Sequence, residues 1–219
     1  MRTKSILFFA LYLFLATSSI SAQTKKTVSS LDNFWGIKFG KICENTYEIM
    51  TSKGWEPCGG GILPYKNNYE LSISVSCSSY NKYNGTYGNL PVEEIDLLSY
   101  DGIFYQVAIR INLSETEIGT EDCEKTVAAI IDKYDLKRNK FPDGKTYFQS
   151  NVGTIAMFSI IQGDEEVLGY SPWSAGGSGA EYFIITFADS KVLEKLDKDT
   201  EKEKEEKQRQ EQKSIQDDL

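Results

Sequence analysis

The chain has 219 residues, of which 40% are hydrophobic and 12% aromatic, and this is enough for the packed core of one medium-sized domain. Its formal charge of −8 disfavours nucleic acid and anionic membrane surfaces as partners, because both carry negative charge. It contains no histidine, which excludes Ser-His-Asp and Cys-His nucleophile pairs, HExxH metalloprotease sites and every histidine-based metal site.

Residues 1–22 have the three parts of a signal peptide. Arg2 and Lys4 give a basic start, 6–16 form a short apolar run, and Ala22 is a small residue at the expected cleavage point. The run is shorter than the roughly 20 residues that a membrane span needs. We therefore expect an exported protein, periplasmic or secreted, with no stable membrane insertion after cleavage. The mature chain would begin at Gln23 and carry a charge of −10.

Residues 23–32 are polar and predict a loose N-terminal segment, and 33–190 predict a single α+β domain. Its first half contains one helix with apolar residues at helical spacing, followed by four strands in which apolar and polar residues alternate or glycines interrupt the run. Asp101-Gly102 is a two-residue turn signal that joins the last two strands in a hairpin. The helix is predicted over 41–53 and the strands over 55–63, 69–77, 95–100 and 103–111.

The second half repeats this order. A helix over 121–134 has apolar residues at helical spacing and acids in its first turn, where the helix dipole favours negative charge. Strands are predicted over 146–151, 154–162 and 182–188. Residues 191–219 are densely charged, with nine acids and six bases from Asp197 onward, so we expect a helical or disordered tail outside the core.

The predicted fold class is α+β, with two helices packed on one face of a mainly antiparallel sheet. The two helices align at an offset of 80 residues, where Cys43-Glu44 corresponds to Cys123-Glu124. The last strands of the two halves are also alike. This favours duplication of an α-β-β-β unit, with repeats at 33–112 and 115–190. The alternative is chance similarity between two amphipathic helices.

Four cysteines in an exported chain favour disulfides over reactive thiols. Cys43 and Cys123 would form a bridge if the two helices lie side by side. Cys58 and Cys77 would then staple the first hairpin, since a two-residue turn near 67–68 would place them opposite each other. A Cys43–Cys58 pairing also has short reach, and spacing alone does not choose between these connectivities.

The order of elements resembles a recurring pattern. It comprises an aromatic segment at 34–40, a helix ending in Lys53-Gly54, the Asp101-Gly102 hairpin, a helix ending in Lys133-Tyr134-Asp135, and a strand at 185–189. It resembles small exported proteins of unknown function from Bacteroides-type bacteria, whose layout is similar to tandem modules of the β-lactamase-inhibitor-protein and SmpA/OmlA kind. The resemblance spans about 33–190. It implies an envelope or secreted binding module and brings no catalytic residues.

Aromatic residues in loops are the main candidate for partner binding, because tyrosine and tryptophan anchor protein interfaces and stack on sugar rings. The alternative is that their rings are buried and cap the ends of the sheet. The set consists of Tyr80, Tyr83, Tyr87 and Trp173, with Trp55 as a further member.

Two acidic groups, one around Glu94 and Asp96 and one at 164–166, are compatible with carboxylate-pair hydrolysis of glycosides. Surface charge is the simpler explanation for both groups. The glycine-rich loop at 176–179 lacks the lysine of a P-loop and predicts a connector.

These observations predict an exported, non-catalytic binding or inhibitory module whose partner is another envelope or extracellular protein. They indicate no catalytic residue, cofactor or metal. The alternatives are a histidine-independent hydrolase acting on envelope polymers, and a structural factor that uses the charged tail as a tether.

Overall fold

The computed structural model describes residues 28–64, 73–113, 119–162, 165–166 and 182–217. The predicted signal peptide, Trp173 and most of the predicted turn near 67–68 lie outside the described residues. The strands in chain order are β1 (Asn33–Phe34), β2 (Ile37–Lys38), β3 (Lys41–Ile42), β4 (Glu56–Pro64), β5 (Ser74–Asn81), β6 (Thr86–Tyr87), β7 (Leu90–Pro91), β8 (Glu94–Tyr100), β9 (Ile103–Asn112), β10 (Lys137–Lys140), β11 (Thr146–Gln149), β12 (Thr154–Gln162), β13 (Glu165–Glu166) and β14 (Tyr182–Asp189). The described helices are α1 (Thr46–Ser52), α2 (Thr120–Tyr134) and α3 (Ser190–Asp217).

Ten of the described strands form one antiparallel sheet, in the order β10-β11-β12-β14-β9-β8-β5-β4, with β13 beside β12 and β3 beside β9. The pairs β1-β2 and β6-β7 are separate small hairpins. Strands β9 and β14 lie at the centre and read as almost continuous apolar runs, which is typical of strands covered on both faces. The predicted α+β class with a mainly antiparallel sheet is confirmed.

The Asp101-Gly102 hairpin is confirmed. Tyr100 pairs with Ile103, and the two turn residues have φ angles of 52° and 73°, as a type I′ turn requires. Aspartate and glycine tolerate this left-handed backbone better than other residues, so the local sequence is sufficient to specify the turn.

The first face of the sheet is covered by α2. Cys123 and Ile130 of α2 are buried in the same cluster as Val107 and Ile109 of β9. The first helix differs from the prediction. It begins at Thr46, because the two residues of β3 pair with the start of β9 instead of forming a first helical turn.

The predicted loose segment also has a docked part. Leu31 is buried in the first-face cluster, and the Ser29 backbone N–H donates to the Lys133 carbonyl at the end of α2, at 3.2 Å. At least 29–31 therefore pack against the domain.

The second face is covered by α3, which corrects the prediction of a tail outside the core. Leu196 is completely buried, and Val192 and Leu193 pack beside it on Leu98 and Tyr105 of the sheet. The helix continues from Ser190 to Asp217, and its charged part beyond Thr200 is largely exposed. The start of the helix contains three apolar residues, Val192, Leu193 and Leu196, within a segment of otherwise charged composition. These three residues determine where the helix packs.

No described helix combines the length and apolar character that crossing a membrane requires.

Replacing Leu196 with alanine should lower the free energy of unfolding by about 2–5 kcal/mol, because it leaves a cavity between α3 and the sheet. Ile215→Ala on the same helix is the control: Ile215 is 63% exposed, so its loss should change stability by less than about 0.5 kcal/mol. Urea unfolding of both variants measures the difference. Equal effects would mean that α3 does not pack on the sheet in solution.

Candidate functional site

A groove of about 630 Å³ opens between the β1-β2 hairpin, the β6-β7 hairpin and α2. We call it the aromatic groove. Rings from both hairpins and from the helix line it, and two lysines of α2 lie at its rim. Its principal side chains are Phe34, Trp35, Tyr87, Tyr134, Lys125 and Lys133.

Trp35 occupies the tip of the β1-β2 hairpin in an unusual backbone conformation. Phe34 pairs with Ile37, which leaves Trp35 and Gly36 as a two-residue loop with φ angles of 53° and 101°. A left-handed backbone is common for glycine but strained for a bulky aromatic residue. The Gly36 backbone N–H donates to Asn33 Oδ1 at 3.0 Å and helps to hold the loop.

Ring stacking holds Trp35 in place. Its ring stacks on Phe34 with centroids 4.4 Å apart and contacts Trp55 at 5.6 Å. The centroids of the Phe34 and Tyr87 rings lie 6.4 Å apart, and those of Tyr87 and Phe187, on the central strand β14, lie 6.3 Å apart. Such ring pairs stabilise beyond the area they bury, so the series ties both hairpins to the sheet.

Tyr87 and Tyr134 connect the β6-β7 hairpin to α2. Burial raises the pKa of Tyr87 well above its usual range, and its hydrogen bond to the Tyr134 oxygen adds to the effect. Tyr87 therefore remains a neutral donor. The Lys133 ammonium lies 4.9 Å from the Tyr134 ring and the Lys53 ammonium 5.9 Å from the Trp35 ring, both within the range of cation–π attraction.

The groups that line the aromatic groove are ones that can contact a ligand. Its described lining offers aromatic faces, amides, hydroxyls and lysines, but no carboxylate or thiol. The groove is suited to holding a ligand.

The members of the predicted aromatic set have four different outcomes. Tyr80 and Trp55 are buried and belong to the core, as the alternative explanation expected. Tyr83 is 93% exposed and does not line the groove, whereas Tyr87 does. Trp173 lies outside the described residues. Trp35 was not among the predicted residues, although an aromatic residue followed by glycine, with Phe34 before it and Ile37 after it, is a detectable sign of a tight hairpin.

The predicted acidic group around 94–96 forms an ion-pair network instead of a catalytic pair. Arg110 donates to Glu94 at 2.7 Å and lies 3.5 Å from Asp96. Ser79 Oγ donates to Asp96 Oδ1 at 2.5 Å. Burial raises the pKa of Asp96, and the nearby Glu94 adds to this, while Ser79 and Arg110 oppose it. Neither carboxylate lines the aromatic groove. Within the described part of the chain, no three His, Cys, Asp or Glu side chains are grouped as for a metal ion.

The expected cysteine pairs are not brought together, and all four residues are free thiols. Cys43 donates its backbone N–H to the Gly102 carbonyl beside one end of β9. Cys123 lines a groove with Phe183, which pairs with Ile111 near the other end of β9, roughly 26 Å away along the strand. Cys77 lies opposite Gly61, not Cys58, so the register of β4 and β5 differs by three residues from the one expected.

The comparisons with known proteins identify no relative. No protein-family model, curated protein sequence or solved structure matches the chain. The resemblance to exported tandem modules therefore stays a prediction, and the function has to be argued from the geometry.

Alkylation of the native protein should modify Cys58 first, because it is exposed whereas Cys77 and Cys123 are buried. Partial desolvation of the Cys58 thiol and the neighbouring Glu94 carboxylate raise the pKa of Cys58. The reaction should therefore accelerate as the pH rises and more of the thiol is ionised. Mass spectrometry with and without denaturant measures the order of labelling. Four cysteines that stay unlabelled in denaturant until they are reduced would instead reveal two disulfides.

Asp96→Asn should gain stability relative to the parent as the pH rises from 3 to 7. Because the pKa of Asp96 is raised in the folded protein, the folded state holds this proton more tightly than the unfolded chain does. The proton therefore stabilises the parent protein fully below the ordinary pKa of 3.8, and this stabilisation is lost as the pH rises through the raised pKa. Urea unfolding at several pH values tests this. Glu201→Gln, on the exposed part of α3, controls for the loss of one carboxylate. If the variant instead lost stability relative to the parent as the pH rises, the charge of Arg110 would outweigh burial in setting the pKa of Asp96.

Proposed function

We propose that this protein is an exported, non-catalytic binding protein that holds a segment of a partner polypeptide in the aromatic groove. The observation that carries the proposal is Trp35. A tryptophan kept in a strained left-handed backbone at a groove mouth costs stability, and such strain is concentrated at ligand-binding positions.

The residue types around the groove favour a protein partner. Tryptophan and tyrosine are the commonest anchors of protein interfaces, and a pre-formed hairpin loses little conformational entropy on binding. Asn89 offers an amide for backbone hydrogen bonds, and Lys133 supplies positive charge at the rim. Lys125 also lines the groove, but its ammonium is paired with Glu121 at 2.8 Å. The chemistry suits a segment with an apolar or aromatic side chain next to an acidic one.

Export is supported by the signal-like composition of 1–22, and an extracellular or envelope partner follows from it. A histidine-independent hydrolase has less support, because Arg110 bridges the two carboxylates that would have to act as acid and base. The tether role of the tail is also weaker, since the first turns of α3 are needed for the core.

We also propose that the domain arose by duplication of a unit of one helix and a four-strand meander. Strands β4-β5-β8-β9 follow α1, strands β10-β11-β12-β14 follow α2, and the two meanders meet through their last strands. Val107 pairs with Phe187, so two residues related by the offset of 80 face each other in the central pair. The unequal lengths of α1 and α2 require divergence after duplication.

A photo-crosslinking residue at Asn89, on the exposed rim of the groove, should capture a defined partner from the envelope fraction of the source organism. Replacing Trp35 with alanine in the same protein should reduce that product about tenfold or more, because loss of a hot-spot side chain costs about 2 kcal/mol or more. Quantitative mass spectrometry of the crosslinked band measures both.

Two matched variants make the test specific. The same crosslinker at Gln212 on the exposed part of α3 should not give this product, and Tyr83→Ala should leave the yield unchanged because Tyr83 lies outside the groove. The same product from both positions, or an unchanged yield with Trp35→Ala, would contradict the proposal. Turnover of a polysaccharide or peptide that is lost on changing Glu94 or Asp96 would favour the hydrolase.

A further inference from the structure

A second groove, of about 550 Å³, opens on the other side of α2, between the helix and strands β10, β11 and β12. We call it the apolar groove. The sheet supplies a floor of aromatic and aliphatic side chains, and α2 supplies one wall. The floor comprises Phe148, Phe158, Ile160 and Phe183, and the wall includes Val127 and Ile131.

The helix covers this part of the sheet incompletely: Phe158, Ile160 and Phe183 are buried, but the residues that border them are not. Val127, Ile131 and Phe148 are only half-buried, although each packs against the main core cluster. The apolar stripe of α2 therefore has a buried central line at Cys123 and Ile130 and an edge at Val127 and Ile131 that faces the groove. Apolar surface of this extent and concave shape is typical of small-molecule sites, whose volumes lie between about 300 and 1,000 Å³.

Two cations stand at the mouth of the groove. Arg138 of β10 pairs with Phe148 of β11, which places its side chain beside that ring on the same face of the sheet. Lys145 precedes β11 and also lines the groove. Glu124 on the helix wall is the one acidic residue of the described lining, which therefore holds two cationic side chains and one anionic one in a protein of overall negative charge.

We infer that the apolar groove binds a single-chain anionic amphiphile of the fatty-acid class. The alkyl chain lies on Phe148, Phe158 and Ile160, and the carboxylate meets Arg138 and Lys145. An apolar interior with cations confined to the rim matches a ligand with an alkyl body and one anionic end. This site does not depend on the proposed function, because the two grooves share no described lining residue and lie on opposite sides of α2.

Calorimetric titration of the purified protein with octanoate, decanoate and dodecanoate tests the inference. Affinity should rise about fourfold for each added methylene, which corresponds to the roughly 0.8 kcal/mol that a buried methylene contributes. Dodecanol and dodecyltrimethylammonium have the same chain without the anionic group, and both should bind at least threefold more weakly than dodecanoate.

Two variants locate the site. Arg138→Gln should weaken dodecanoate binding about three- to tenfold and leave dodecanol unchanged, as expected for one charge-assisted contact. Lys137→Gln is the matched control: Lys137 neighbours Arg138 on β10, but its side chain points to the other face of the sheet. Val127→Glu places a carboxylate in the wall and should abolish binding, with a thermal melt to establish that the variant folds.

The same titrations can overturn the inference. Affinity that does not depend on chain length, equal binding of dodecyltrimethylammonium, or equal losses in Arg138→Gln and Lys137→Gln would each contradict it, as would no binding of dodecanoate. Trp35→Ala should retain full dodecanoate affinity. A loss there would place the amphiphile in the aromatic groove instead, and would not bear on polypeptide crosslinking at Asn89.

Discussion

The antiparallel pairing of β9 with β14 is the interaction on which the rest of the structure depends. Seven residue pairs, from Asn112 with Tyr182 to Gln106 with Ala188, join the two halves of the chain at the centre of one sheet. Both strands carry apolar side chains on both faces, so each face has to be covered. Helix α2 covers one face and the start of α3 covers the other, which makes α3 part of the domain.

The position of α2 over the sheet also produces both grooves. The helix is narrower than the face it covers, and its apolar stripe buries Cys123 and Ile130 along a central line. On one side the two small hairpins rise beside it and bring the rings of Trp35 and Tyr87 to the gap. On the other side no described hairpin rises, and Val127, Ile131 and Phe148 stay half-buried beside Arg138. The position of this one helix therefore leaves two grooves with different lining residues.

The charged groups follow the same division. Arg110, Glu94 and Asp96 lie on the second face, where they neutralise one another across neighbouring strands. The lysines and Arg138 stand at groove rims on the first face, where the lining is apolar or aromatic. Both proposed binding sites therefore lie on the face that α2 covers, away from the internally paired cluster on the second face.

The sequence by itself determined the elements whose signals are local. The Asp101-Gly102 turn needs only residues that tolerate a left-handed backbone, and α2 needs only apolar residues at helical spacing. The start of α1, the packing of Leu196, the register of Cys77 and the convergence of Trp35 with Tyr87 were decided by the tertiary structure alone. Each depends on a partner far along the chain, and local spacing carries no information about which distant strand, helix or ring a side chain will meet.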